Sequence, residues 1–156
     1  MRCIWLIGLA ALGACDMDSL QWTDQGRLQV GDRDTCVIDA PTSVGYGFCL
    51  HGDGAFAADG SGDCGDVTIW LDPPLAARTG EVSIPLQESS TDLEGGKGAV
   101  WVSSGGSEYS STSGTATLLR RSDGLIAVSF EAQLESFVGG DPGPTASGLV
   151  LCEPTE

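Results

Sequence analysis

The side chains of this 156-residue sequence with most chemistry to offer are Cys36, Cys49, Cys64 and Cys152, the single histidine His51, and Asp53, Asp59, Asp63 and Asp66. A Ser-His-Asp or Cys-His mechanism would have to be built on His51. No G-x-S-x-G elbow supplies a serine nucleophile, and His51 closes a strand candidate, where a surface histidine is the ordinary outcome. Separations of 13, 15 and 88 residues between the cysteines include no C-x-x-C pair, and one histidine accompanies them, which argues against zinc. In an oxidising compartment four cysteines read as two disulfides, and oxidation removes the thiolate that a cysteine nucleophile requires. Three pairings are open. Adjacent strand candidates favour Cys36 with Cys49 and Cys64 with Cys152, the second tying the end of the chain to its body.

The aspartates lie in a glycine-rich stretch from His51 to Asp66. Calcium takes six to eight oxygen ligands, and Asp59, Ser61, Asp63 and Asp66 could offer several. The stretch departs from an EF-hand loop, however. With Asp59 as position one, Cys64 stands where that loop needs glycine and Trp70 where it needs a bidentate glutamate. The expectation is a solvated hairpin loop stapled through Cys64, with Asp59, Asp63 and Asp66 as weak metal candidates and no cofactor. Paired carboxylates of a glycosidase carry no signal among 22 acidic residues. Trp22, Trp70 and Trp101 could stack on carbohydrate if they shared one sheet face, although tryptophans of small β domains are usually partly buried. Ser103 to Ser113, rich in serine and glycine around Tyr109, reads as a flexible loop that could join a binding surface.

The N-terminus is more specific. Arg2 precedes an apolar run from Ile4 to Leu12, followed by Gly13, Ala14 and Cys15. The run is too short for a hydrocarbon core that needs about 20 residues, and it has the length of a signal-peptide core. Leu12-Gly13-Ala14-Cys15 resembles the lipobox of bacterial lipoproteins. That resemblance implies a thiol carrying diacylglycerol, cleavage before Cys15, and usually acylation, such as palmitate, of the new amino group. Two or three acyl chains, at about 0.8 kcal/mol per buried methylene, make attachment effectively permanent. Asp16 resembles the inner-membrane retention signal of enteric bacteria, but sorting differs between bacterial groups, so inner and outer membrane both stay open.

Loss of residues 1 to 14 removes Arg2 and no acid, taking the formal net charge from −15 to −16. Nucleic acid and anionic head groups are repelled by such a chain. Solubility outside the cytoplasm accounts for the charge, with cation binding as the alternative.

From Thr35 onward apolar residues alternate, the period of half-buried strands. Ile126, Val128, Phe130, Ala132 and Leu134 alternate with Ala127, Ser129, Glu131, Gln133 and Glu135, so one face is expected in the core and the other in water. Val82, Ile84 and Leu86 alternate likewise, with Pro85 hinting at a sheet edge because it cannot donate to a ladder. Val67, Ile69 and Leu71 form a third set with Trp70 opposite. Other strand candidates are Thr35 to Asp39, Gly45 to His51, Ala99 to Ser103, Thr115 to Arg120 and Ser147 to Cys152, with a short one possible at Arg27 to Val30. Asp53-Gly54, Asp59-Gly60, Pro73-Pro74, Gly95-Gly96, Gly105-Gly106 and Asp123-Gly124 read as turns, the last being the strongest hairpin. No segment offers an amphipathic helix. The last 40 residues resemble the closing strands of small β-rich lipoproteins of unknown function, which bears on the fold alone.

The sequence therefore predicts a signal peptide over residues 1–14, a lipidated N-terminus and tether over 15–33, and a β-domain over 34–156. That domain is expected to be all-β, a single antiparallel β-sandwich or barrel-like unit of about eight strands. The expected function is a non-enzymatic structural or binding role of a membrane-anchored lipoprotein at the bacterial cell envelope, with an envelope protein or polysaccharide as partner. A small secreted hydrolase using His51, and a calcium-dependent adhesion module, are the alternatives.

Overall fold

The computed structural model describes residues 26–39, 47–51, 56–72, 80–88, 93, 95–121 and 125–154, and all statements of structure refer to these. Ten strands account for their regular structure: β1 (Gly26–Val30), β2 (Cys36–Asp39), β3 (Gly47–His51), β4 (Phe56–Gly62), β5 (Gly65–Leu71), β6 (Glu81–Leu86), β7 (Gly98–Ser104), β8 (Ser107–Arg120), β9 (Ile126–Ser136) and β10 (Pro142–Pro154). No helix occurs among the described residues. None of them forms a helix long and apolar enough to cross a membrane.

All ten strands belong to one mixed sheet. Successive antiparallel pairings run from β1 to β2, β4, β5, β7, β8, β9 and β10, and β10 pairs back onto β1. The remaining strands branch from this circuit. β3 joins β10 in parallel and β4 antiparallel, while β6 lies antiparallel to β8 and meets β7 in parallel at Leu86 opposite Gly98. The expected wholly antiparallel arrangement of about eight strands is thus corrected to ten strands with two parallel pairings.

The alternation expected for β9 holds from Val128 onward, whereas Ala127, expected on the wet face, is buried between Leu119 of β8 and Leu151 of β10. Ile126, Val128, Phe130, Ala132 and Leu134 are buried, and Glu131 and Gln133 are exposed. The same face of the circuit takes Leu28, Ile69, Leu71, Val100, Val102, Ile84, Leu118 and Val150 into one apolar cluster. Each fully buried aliphatic side chain contributes about 1.5 to 3 kcal/mol relative to an exposed one. Pro85 stands on β6 opposite Thr115 of β8, and β7 reaches β6 only at Leu86, so one side of β6 is unpaired at Pro85, the edge position that a residue without a donor suggested.

Three segments differ from their sequence reading. β1 lies within the stretch assigned to the tether, yet Leu28 is fully buried and Arg27 to Val30 pair with Ala146 to Leu149. β4 occupies the supposed acidic loop, with Asp59-Gly60 in mid-strand and the turn displaced to Asp63-Cys64. Its composition of Gly, Ala and Asp is poor for a strand; pairing on both sides, with β5 and with β2 and β3, overrides propensity. Gly60, read as a turn signal, serves close approach to β2 instead, a Cβ there falling 2.8 Å from Ile38 Cδ1, and Gly62 does the same. A Cβ on Gly62 would sit 2.5 Å from the Val37 carbonyl oxygen of β2.

β8 serves two neighbours in turn, β7 along Ser107 to Ser110 and β6 along Gly114 to Leu119, with β9 along its other edge. Ser103 to Ser113, expected as a loop, is therefore the end of β7, a turn at Gly105-Gly106 and half of β8. The change of partner coincides with a bulge between Ser111 and Ser113. Gly114 follows at φ +142°, with the Glu131 carbonyl oxygen only 2.1 Å from where a Cβ would stand. At the branch the buried Ser111 Oγ accepts from the Val100 N–H (3.0 Å) and donates to the Gln87 carbonyl (2.7 Å).

Candidate binding site on the outer face

The period of two that buries Val67, Ile69 and Leu71 sends Asp66, Thr68 and Trp70 to the opposite, outer face of β5. On β7 the same rule buries Val100, Val102 and Ser104 and turns Trp101 and Ser103 outward. Antiparallel register then sets Thr68 beside Trp101, Asp66 beside Ser103, and Ser103 beside Glu108 of β8. Trp70 falls between Ala57 and Ala99, whose small side chains leave room for its indole.

Trp70 and Trp101 are thus diagonal neighbours on one face, the arrangement in which large rings reach each other. Their centroids are 5.9 Å apart with the planes at 89°, an edge-to-face contact, worth about 0.5 to 1.5 kcal/mol beyond the area buried. Trp101 remains half-buried and Trp70 retains 36% of its surface. Beyond Trp101 a groove of about 270 Å³ is lined by Asp66, Thr68, Ser103, Glu108 and Phe137. Phe137, 58% exposed, stands at its far wall in the turn between β9 and β10. Its N–H donates to the Glu108 carbonyl at 3.0 Å, and the Ser136 N–H donates to the Asp141 carbonyl at 2.8 Å, so the turn that carries it is fastened at both ends. Ser61 Oγ donates to the Asp66 carboxylate, holding one of its oxygens. Rings, hydroxyls and carboxylates line this groove, and no Lys or Arg is among them.

Two other recesses differ in character. One, of about 170 Å³, lies on the outer face of β1, β8, β9 and β10 between Arg27, Gln29, Thr115, Thr117 and Ser129. Another, of about 390 Å³, lies beside Arg33, Asp32 and Tyr109. Here Arg33 Nη1 donates to Ser104 Oγ (3.0 Å), which donates to the Cys64 carbonyl (2.8 Å), so the guanidinium braces the β5–β7 end of the sheet.

Cys36 is bonded to Cys64, with Cα atoms 6.1 Å apart. This corrects the expected pairs Cys36 with Cys49 and Cys64 with Cys152. The reason is strand order: β2 pairs with β4 and not with β3, and the register Ile38 opposite Gly62, continued by two residues, brings Cys36 opposite Cys64. Cys49 and Cys152 lie on the neighbouring parallel strands β3 and β10, where the backbone of Cys152 is opposite Gly47 and that of Cys49 opposite Pro154.

His51 is the last residue of β3, its backbone opposite Phe56. Asp59 and Asp66 share the outer face with Ser61, and Asp63 is exposed in the turn. Among the described residues no group of three or more His, Cys, Asp or Glu is placed to hold a metal ion. Cys15, Trp22 and Asp53 lie outside the described residues.

Trp70, Trp101 and Asp66 were visible as candidates in the sequence, Ser103 and Glu108 only within a supposed flexible loop that could join a binding surface, and Thr68 and Phe137 were not singled out. Alternation alone could have put Thr68 and Ser103 on the same faces as the tryptophans. That β5 neighbours β7 across the intervening β6 has no local signal. No family model matches the sequence, no curated protein is similar to it, and no solved structure matches it.

Proposed function

We propose that this chain is a lipid-anchored bacterial envelope protein whose β-domain has a non-enzymatic binding role outside the cytoplasm. The observation that carries the anchor is Leu12-Gly13-Ala14-Cys15 after a short apolar run. Cleavage before Cys15 leaves ten residues, 16–25, between the acylated cysteine and β1. At about 3.5 Å per extended residue they hold the first strand within about 35 Å of the lipid surface. The domain itself is read as barrel-like, because its chain of pairings returns from β10 to β1, which leaves neither of those two strands as a sheet edge. An outward groove of aromatic rings and carboxylates suits recognition of a partner at the envelope, and the net charge of −16 after cleavage keeps nucleic acid and anionic lipid from being that partner.

The test is Cys15→Ser expressed in a bacterial host. Wild-type protein should fractionate with membranes and incorporate a labelled fatty acid; the variant should appear in the soluble fraction without label. Labelling that persists in Cys15→Ser would overturn the anchor.

A further inference from the structure

Resting on that reading of a non-enzymatic envelope domain, we infer that the groove between Trp101 and Phe137 binds a neutral polysaccharide chain. The argument begins with what the groove offers. Trp101 and Phe137 form apolar walls, Thr68 and Ser103 add hydroxyls to the lining, and Asp66 and Glu108 flank Ser103 in register across β5, β7 and β8. A sugar ring has apolar C–H faces that stack on aromatic rings and an equatorial rim of hydroxyl groups. Carboxylates accept hydrogen bonds and donate none, whereas serine and threonine do both. Hydroxyl donors on the ligand are therefore matched, and phosphate, sulfate or carboxylate groups on it are not, since no cation lines the groove.

The shape points to a chain. Trp70, Trp101 and Phe137 succeed one another obliquely across the outer face of β5, β7 and the turn that bonds to β8. With strands about 4.8 Å apart and about 3.3 Å per residue along each, that path is longer than one sugar ring; the groove takes up its Trp101–Phe137 part, and the exposed Trp70 continues it. A compact organic cation also suits rings beside carboxylates, but it would leave the hydroxyls of Thr68 and Ser103 and the length of the strip unused.

The experiment uses the full chain purified from membranes in detergent. Native gels containing hydroxyethylcellulose, glycogen or a soluble mannan measure retardation by each, and tryptophan fluorescence is titrated with the same polymers, with choline chloride and with poly-lysine. Retardation by at least one neutral polymer is expected. It should weaken by about tenfold or more in Trp101→Ala, a loss of about 1.4 kcal/mol, and measurably in Asp66→Asn and in Glu108→Gln, while Glu131→Ala on β9 behaves as wild type. Thermal melts check that each variant is folded. If Trp101→Ala is not, Glu108→Gln and Phe137→Ala decide by the same readout. Retardation by none of the polymers, retardation unaffected by these substitutions, or a fluorescence response to choline or poly-lysine alone would overturn the inference. Fatty-acid labelling of the same preparation is independent, so the anchor survives such a failure. Release of reducing ends from a bound polymer would instead overturn the non-enzymatic reading and leave polysaccharide recognition standing.

Discussion

Phe130 and Ser111 show how differently two buried side chains hold this sheet. Phe130, 3% exposed, belongs to the apolar cluster, and Phe130→Ala should cost about 3 to 5 kcal/mol by leaving a cavity. Its neighbour Glu131 points the other way, and Glu131→Ala should change stability by less than about 0.5 kcal/mol. Chemical denaturation of the two variants measures the contrast, and a larger loss in Glu131→Ala would mean that β9 is assigned one residue out of register. Ser111 adds little apolar area. Its hydroxyl satisfies the Val100 N–H and the Gln87 carbonyl where β8 changes partner. Ser111→Ala should cost about 1 to 3 kcal/mol, the penalty of leaving buried polar groups unpaired. Ser113→Ala, two residues on and exposed, is the control and should be close to neutral in the same assay.

At the scale of elements, the order of strands decides the covalent crosslinks. With β2 against β4, the bond Cys36–Cys64 closes a separation of 28 residues. Restricting a loop of that size in the unfolded chain stabilises by about 3 to 4 kcal/mol in the chain-entropy account. Protease digestion without reduction should give a peptide joining Cys36 to Cys64, and mass spectrometry should find none joining Cys36 to Cys49. Titration of denatured, unreduced protein should show no free thiol, which leaves Cys49 and Cys152, on paired strands, as the second bond. Two free thiols would confine the crosslinking to β2 and the β4–β5 turn.

Over the whole molecule, the consequential feature is that β10 pairs with β9 on one side and β1 on the other, completing the circuit of pairings. A tether would exchange its amide protons at once. If Arg27 to Val30 are instead a full member of the sheet, their hydrogen-bonded amides should exchange only through large-scale opening, with protection similar to that of β9. Leu28→Ala should cost about 2 to 5 kcal/mol although it lies far from the middle of the chain. Hydrogen exchange followed by NMR distinguishes the cases, and unprotected amides over β1 would return that segment to the tether.

What the sequence by itself determined is local in origin. Sequence pattern placed strands at β2, β3, β5, β6, β7 and β9 and over parts of β8 and β10, and alternation gave the inward face of β5, β6 and β9, because burial on one side of a pleated strand imposes a period of two. It also put Phe130 inside and Glu131 outside, and it marked Trp70 and Trp101 as potential neighbours. Tertiary structure alone decided which strands touch: β5 beside β7 across an intervening strand, β4 made a strand despite its glycines, and Cys36 brought to Cys64 instead of Cys49. These are contacts between residues distant in the chain. Alternation says which way a side chain faces and carries no term for the neighbour it will meet, so the groove joining Trp101 to Glu108 and Phe137 existed only once the sheet was assembled.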